Sequence, residues 1–182
     1  MSYINQTHLK RWADVLVRHA TNVQPGQVVR ITAQPAAEAL LEAVYRKVLL
    51  AGGRPLVNCK PECLGEAFYE LANEAQLDWV NPIGIHETEL VDATINISAS
   101  TNLRAMDKVD PAKPQRAAKA NLPNREIFFQ RAAAADDPSL AGEHRPLLWS
   151  TTLFPTNAYA QDAGMSLSDY SAFVVRACQL NQ

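Results

Sequence analysis

Val28-Val29-Arg30-Ile31-Thr32, a helical stretch carrying Leu40, Leu41, Val44, Tyr45, Val48 and Leu49, the pair Gly52-Gly53, and then Pro55-Leu56-Val57-Asn58-Cys59 decide the fold class. The first segment is rich in β-branched residues and reads as a strand. Gln34-Pro35 opens a helix over about 36–50, whose broad apolar stripe suits packing on a sheet. Gly52-Gly53 ends it, because glycine tolerates the left-handed conformation at a helix C-terminus. Proline heads the next strand, where a missing N–H does least harm. Strand, helix and strand within about 30 residues is the size of a βαβ unit, which predicts parallel strands joined by a right-handed crossover.

The pattern continues on both sides. Leu9, Trp12, Ala13, Leu16, Val17 and Ala20 recur at three- and four-residue steps and predict a helix over about 6–21. Gln24-Pro25-Gly26-Gln27 is a turn. A helix is expected over about 62–75, with Glu62, Glu66, Glu70 and Glu74 at four-residue spacing on one side. Further strands are expected at Asp92–Ser98 and Pro146–Phe154, with helical pieces broken by Pro111, Pro114 and Pro123 between them. Ser166 and Asp169 form an N-terminal cap for a last helix bearing Tyr170, Phe173, Val174 and Ala177. The expected architecture is α/β, a three-layer open and mostly parallel sheet with helices on both faces. It is Rossmann-like without a dinucleotide fingerprint, since Pro35-Ala36-Ala37 occupies the turn where G-x-G-x-x-G would lie.

Composition narrows the function classes. The 182 residues, 47% hydrophobic and 20% charged, suit one globular domain. No uncharged apolar run approaches the ~20 residues that cross a bilayer, and the N-terminus lacks a signal-peptide core, so no membrane role is expected. Three cysteines without a CxxC pair argue against a disulfide framework and for a cytoplasmic setting. The net charge of −2 is unevenly spread. Residues 1–60 hold eight Lys/Arg against three Asp/Glu, and residues 61–92 hold eight acids and no Lys or Arg. Residues 93–131 return to seven bases against three acids. Basic blocks flanking an acidic one read as solvated helix faces that partly neutralise each other, so no nucleic-acid partner is expected.

Self-contained catalytic motifs are missing. No P-loop occurs, and seven glycines leave little room for one. His86-Glu87-Thr88-Glu89-Leu90 begins like H-E-x-x-H but lacks the second histidine. Gly164-Met165-Ser166-Leu167-Ser168 is not a nucleophile elbow, because Ser168 stands at the second glycine. Cys59 is expected to end a buried strand, and Cys59 and Cys63 are too few for a zinc site without histidine partners. Chemistry alone therefore leaves an α/β domain that could be a stand-alone small-molecule binding or interaction module.

The tail adds a resemblance. Phe154-Pro155-Thr156-Asn157-Ala158-Tyr159-Ala160-Gln161-Asp162-Ala163-Gly164-Met165-Ser166, followed by Tyr170 and Phe173, resembles a signature of the thermophilic-type metallo-aminopeptidases, the aminopeptidase T, AmpS and PepS family, which is leucyl aminopeptidase-like. Trp12–Val17, Val23–Val29, Ala51–Pro55 and Asp92–Ile97 are similar to that family as well. The resemblance implies an exopeptidase hydrolysing N-terminal residues from peptides with two divalent ions, of the zinc, cobalt or manganese class, that activate water. It places those ligands in a C-terminal domain whose first glutamate sits in a motif like Asn-x-Pro-x-Gly-Glu, and that motif does not occur here. Residues 1–182 are thus expected to be a single α/β domain, the N-terminal domain of a larger two-domain enzyme, with the catalytic metal-binding domain absent. This piece alone is expected to be inactive and to hold no cofactor. Its expected partners are its own C-terminal catalytic domain, peptide substrates of the parent and a second copy in a homodimer. No residue is assigned a catalytic, cofactor or metal role. Loops after the carboxyl ends of parallel strands face a cleft, so Ser98, Ser100, Asn102 and Thr156 are expected to lie near one, with loop and capping hydrogen bonds as their plainer use.

Overall fold

A computed structural model describes residues 4–140 and 142–181. The chain divides into two compact units, Met1–Lys60 with Ala93–Leu103 and Trp149–Gln182, and Pro61–Asp92 with Arg104–Leu148. They are called the sheet unit and the crossover unit below.

The sheet unit holds the strands. Helix α1 (Gln6–Asp14) continues as a π-helical segment, Val15–Ala20, and is followed by β1 (Val28–Ala33). A 3-10 turn, Pro35–Ala37, leads into α2 (Glu38–Leu50), and β2 follows (Arg54–Cys59). Next within this unit come β3 (Ala93–Ser98) and β4 (Leu148–Leu153), the latter starting at the unit boundary. The strand order is β2-β1-β3-β4. β1 pairs in parallel with β2, from Val28↔Arg54 to Ala33↔Cys59, and with β3, from Val29↔Ala93 to Ala33↔Ile97. Leu148 N donates to Asp92 O at 3.1 Å and Phe154 N to Ser98 O at 2.7 Å, a constant offset that makes β3 and β4 parallel too. The result is an open, parallel α/β fold with flanking helices.

Burial explains the order. β3 is central and nearly all buried, and β1 alternates, with Val29 and Ile31 fully enclosed. β2 is an edge strand, so Leu56, Val57 and Cys59 are exposed, and the expectation that Cys59 ends a buried strand is corrected. The α2 stripe is narrower than the sequence suggests: Leu40, Val44 and Val48 are buried, whereas Tyr45 and Leu49 are exposed. The two glycines after α2 differ in purpose. Gly52 has φ +78, the left-handed conformation. Gly53 is held by packing, since a Cβ there would sit 2.9 Å from Cγ1 of both Val23 and Val48.

Trp12 ties the first helix to the last strand. It is 1% exposed, its Nε1 donates to Thr152 Oγ1 at 3.0 Å, and its ring stacks on Phe154 with centroids 6.0 Å apart. Arg11 adds a donor to the Leu180 carbonyl at 3.2 Å. On the neighbouring side of α1, Lys47 of α2 forms an ion pair with Asp14, and Arg18 approaches the same carboxylate at 3.4 Å. The Lys47 hydrogen bond holds the Asp14 carboxyl below its ordinary range, with Arg18 and His19 adding to the effect.

The crossover unit is mostly helical. It comprises α3 (Glu62–Leu71), α4 (Glu74–Leu77), α5 (Pro82–Leu90), α6 (Ala112–Ala120) and α7 (Leu122–Asp136). The helix expected over 62–75 is interrupted. Ala72 leaves the helical region at ψ 133, and Asn73 caps a new turn, so Glu74 does not continue the row of Glu62, Glu66 and Glu70. The acidic and basic blocks meet inside this unit. Arg116 of α6 binds Asp78 in a fork at 2.6 and 2.7 Å and reaches Glu74 at 3.1 Å, holding the Asp78 carboxyl below its ordinary range. Lys113 donates to the Tyr69 carbonyl at 2.6 Å.

Two outcomes follow for the sheet unit. Trp12→Phe keeps an aromatic ring of smaller volume and loses the Nε1 donor to Thr152, and is expected to cost about 1–3 kcal/mol in urea unfolding. Trp12→Ala is expected to cost about 3–5 kcal/mol, the cavity included. The lowered Asp14 pKa stabilises the fold above its unfolded value, and that contribution is lost as pH falls through the folded pKa, below about pH 4. The melting temperature of Asp14→Asn should therefore vary less between about pH 5 and about pH 2.5 than that of the unaltered chain.

Candidate functional site

The order β2-β1-β3-β4 creates a switch point: the chain leaves β1 toward one side of the sheet and β3 toward the other. Loops diverge there and leave room beyond the strand ends. Gln34, the first residue after β1, spans this point. Its Oε1 accepts from the buried Ala99 N–H, and its Nε2 donates to Ser100 Oγ at 3.1 Å.

The loop after β4 joins the same network. Thr156 Oγ1 donates to the Ser100 carbonyl at 2.5 Å and accepts from Tyr159 N at 3.3 Å. The second bond caps α8 (Asn157–Asp162). Tyr159 folds back, its hydroxyl accepting from Ser100 N at 3.2 Å. Ser100 thus receives a bond from each neighbouring loop, and the ends of β1, β3 and β4 are locked in register. Beside the lock is a hollow of about 310 Å³ lined by Ala36, Thr101, Thr156, Asn157 and Leu167, with Pro155 and Ala158. Hydroxyls and an amide face it, and none of these side chains titrates or carries charge. Such a lining can orient a polar ligand or a neighbouring chain by hydrogen bonds. It supplies no His, Cys, Asp or Glu side chain.

Of the four residues singled out in the sequence, Ser100 and Thr156 are bonded to each other. Ser98 is half-buried at the end of β3, its carbonyl accepting from Phe154 N. Asn102 is exposed two residues beyond Ser100. Gln34 and Tyr159 were not foreseen, because their partners lie 59 to 66 residues away in the chain. The signature segment itself is helix punctuation. Thr156 starts α8. Gly164, at φ +65, ends it, with Gly164 N bonded to Gln161 O and Met165 N to Ala160 O at 3.0 and 2.8 Å. Ser166 then caps α9 (Leu167–Ala177), its Oγ accepting from Asp169 N at 3.1 Å.

Among the described residues no group of three or more His, Cys, Asp or Glu side chains is placed to hold a metal ion. His86 lies on the exposed side of α5, 3.5 Å from Glu89.

The lock is open to test. Gln34→Ala strips the buried Ala99 N–H of its acceptor and is expected to cost about 1–3 kcal/mol in chemical unfolding. Thr156→Val removes the α8 cap and the Ser100 bond together, for about 1–2 kcal/mol.

The family model described as thermophilic metalloprotease (M29) matches residues 5–182. Among solved structures, wild-type AmpT from Thermus thermophilus superimposes with a TM-score of 0.70 at 20% identity, over 94% of this chain and 42% of that one. At that identity the likeness shows the fold. An alcohol dehydrogenase superfamily protein from Novosphingobium aromaticivorans (12% identity, TM-score 0.37, 100% of this chain and 50% of that one) and CurK enoyl reductase (16%, 0.32, 78% and 47%) are too distant to carry an argument. Among curated proteins none matches. The family implies a divalent metal ion, and the described residues of this chain do not fit one. On the strength of a match over nearly its whole length, the chain belongs to the thermophilic metalloprotease (M29) family.

Proposed function

We propose that this chain is the N-terminal, non-catalytic domain of a two-metal aminopeptidase and helps to enclose the active site that a further, metal-bearing domain supplies. The family match over residues 5–182 carries the reading. The chain spans 42% of the length of AmpT, which supports a second domain in the parent protein. The strand-end lock supports the enclosing role. It fixes the loops bearing Ser98, Ser100, Asn102 and Thr156 in one arrangement, as a rigid wall of a cleft requires, and offers them as hydrogen-bonding surface. In the parent, two divalent ions of the zinc, cobalt or manganese class would act on peptide N-termini, in a cytoplasmic homodimer. Among the described residues no helix is long and apolar enough to cross a membrane.

The purified chain, given aminoacyl-p-nitroanilides with Zn²⁺, Co²⁺ or Mn²⁺, is expected to show no turnover above blank. Activity that survives repurification and scales with the chain would overturn the reading. The coding sequence downstream of Gln182 is a second check. An open reading frame with Asn-x-Pro-x-Gly-Glu is expected, and a frame that closes at once would count against it.

A further inference from the structure

The crossover unit is made of two chain segments, and one buried side chain sews them together. Pro61–Asp92 connects β2 to β3, and Arg104–Leu148 connects β3 to β4. Arg131, on α7 in the second segment, is 4% exposed. Its guanidinium donates to the carbonyls of Thr88 and Val91, the latter at 2.8 Å, at the C-terminal end of α5 in the first segment. It also donates to Arg145 O at 2.7 Å and Pro146 O at 3.3 Å, just before β4. The end of a helix carries partial negative charge and free carbonyls, which suits a buried cation. Arg145 reinforces the seam through Asp92 and, at 3.0 Å, the Leu90 carbonyl.

Apolar burial in the same unit is sparse. Among the described residues its buried apolar side chains are Ala72, Leu77, Val91, Ala132, Ala134 and Leu147, half of them alanine. Leu64, Leu71, Trp79, Ile83 and Phe129 are more than half exposed, and α3 buries no residue. The sheet unit, by contrast, encloses Trp12, Ile31, Leu40, Val44, Val48, Ile95 and others at 1% exposure or less. Regions with few buried apolar contacts open at lower free energy than the core and do so as cooperative blocks.

We propose that the crossover unit opens and closes as one body while the sheet unit stays folded, and that the Arg131 guanidinium is its latch. Among the described links between the two segments, Arg145, Arg116 and Lys113 bond from more exposed positions, and the fork is the buried one. Its loss exposes carbonyls on both segments at once, where an apolar substitution of similar length restores none of the bonds. Lysine cannot replace it, because a single ammonium does not span four carbonyls from two segments.

Amide hydrogen exchange of the intact chain, read by mass spectrometry along a urea series, tests this. In the parent chain the amides of α5 and α7 should exchange together, with protection about 10-fold or more below that of β1 and β3. Arg131→Met should lower protection across α5, α7 and residues 145–147 by about 100-fold and leave β1 and β3 within about threefold. Arg131→Lys should fall between the two. Uniform protection in the parent chain would overturn the proposal. So would an Arg131→Met chain whose crossover unit is unchanged, or one that loses protection in β1 and β3 to the same degree.

Discussion

Parallel strands cannot be joined by a tight turn, and this constraint governs the molecule. Each step across the sheet requires a crossover long enough to carry the chain back to the starting edge. The first step, from β1 to β2, uses the minimum: one helix whose buried line of Leu40, Val44 and Val48 covers the strands, and two glycines that return the chain. The next two steps are much longer. They fold onto each other through Arg131, Arg145, Arg116 and Lys113, and become a unit with its own small core. The sheet is held mainly by apolar burial, and the crossovers depend far more on charge and carbonyls.

That difference decides what could be read from the sequence. Apolar periodicity is a local signal, so β1, α2, β2, β3 and the Ser166 cap were legible in nearly their final bounds. α5 was not: its apolar residues form no stripe, and its interior contains Gly84. Pro82 at its start and the Asn81 cap were the available signals. α8, six residues long, was too short to show a period. The uneven charge was visible as blocks, and pairing between those blocks is what the crossover unit uses. Arg131 itself was hidden in the basic block, because nothing local distinguishes a buried arginine from a solvated one. The strand-end lock was half visible. Hydroxyls after the strands pointed to Ser100 and Thr156, whereas Gln34 and Tyr159 act across distances that composition and spacing do not encode.

The segment that resembles the family's signature is built here from helix starts and stops. Thr156, Gly164 and Ser166 begin one helix, end it and begin the next, and Thr156 also closes the lock on β3. Each of these positions answers a backbone requirement: a cap acceptor, a positive φ, a second cap acceptor. Membership of a peptidase family and a lining without acids or bases are therefore compatible.

The edge strand β2 has a consequence for how the protein behaves in concentrated solution. Arg54 N and Lys60 N both bond inward, to Gln27 O and Ala33 O. By the alternation of a strand, residues 55, 57 and 59 turn their amides outward. Pro55 has no N–H to offer, and the next outward position beyond Cys59 is Pro61. The outward N–H donors are cut to Val57 and Cys59, so another strand pairing here finds a row short of donors. The proline that heads the strand thus also acts as a guard against fibrillar stacking.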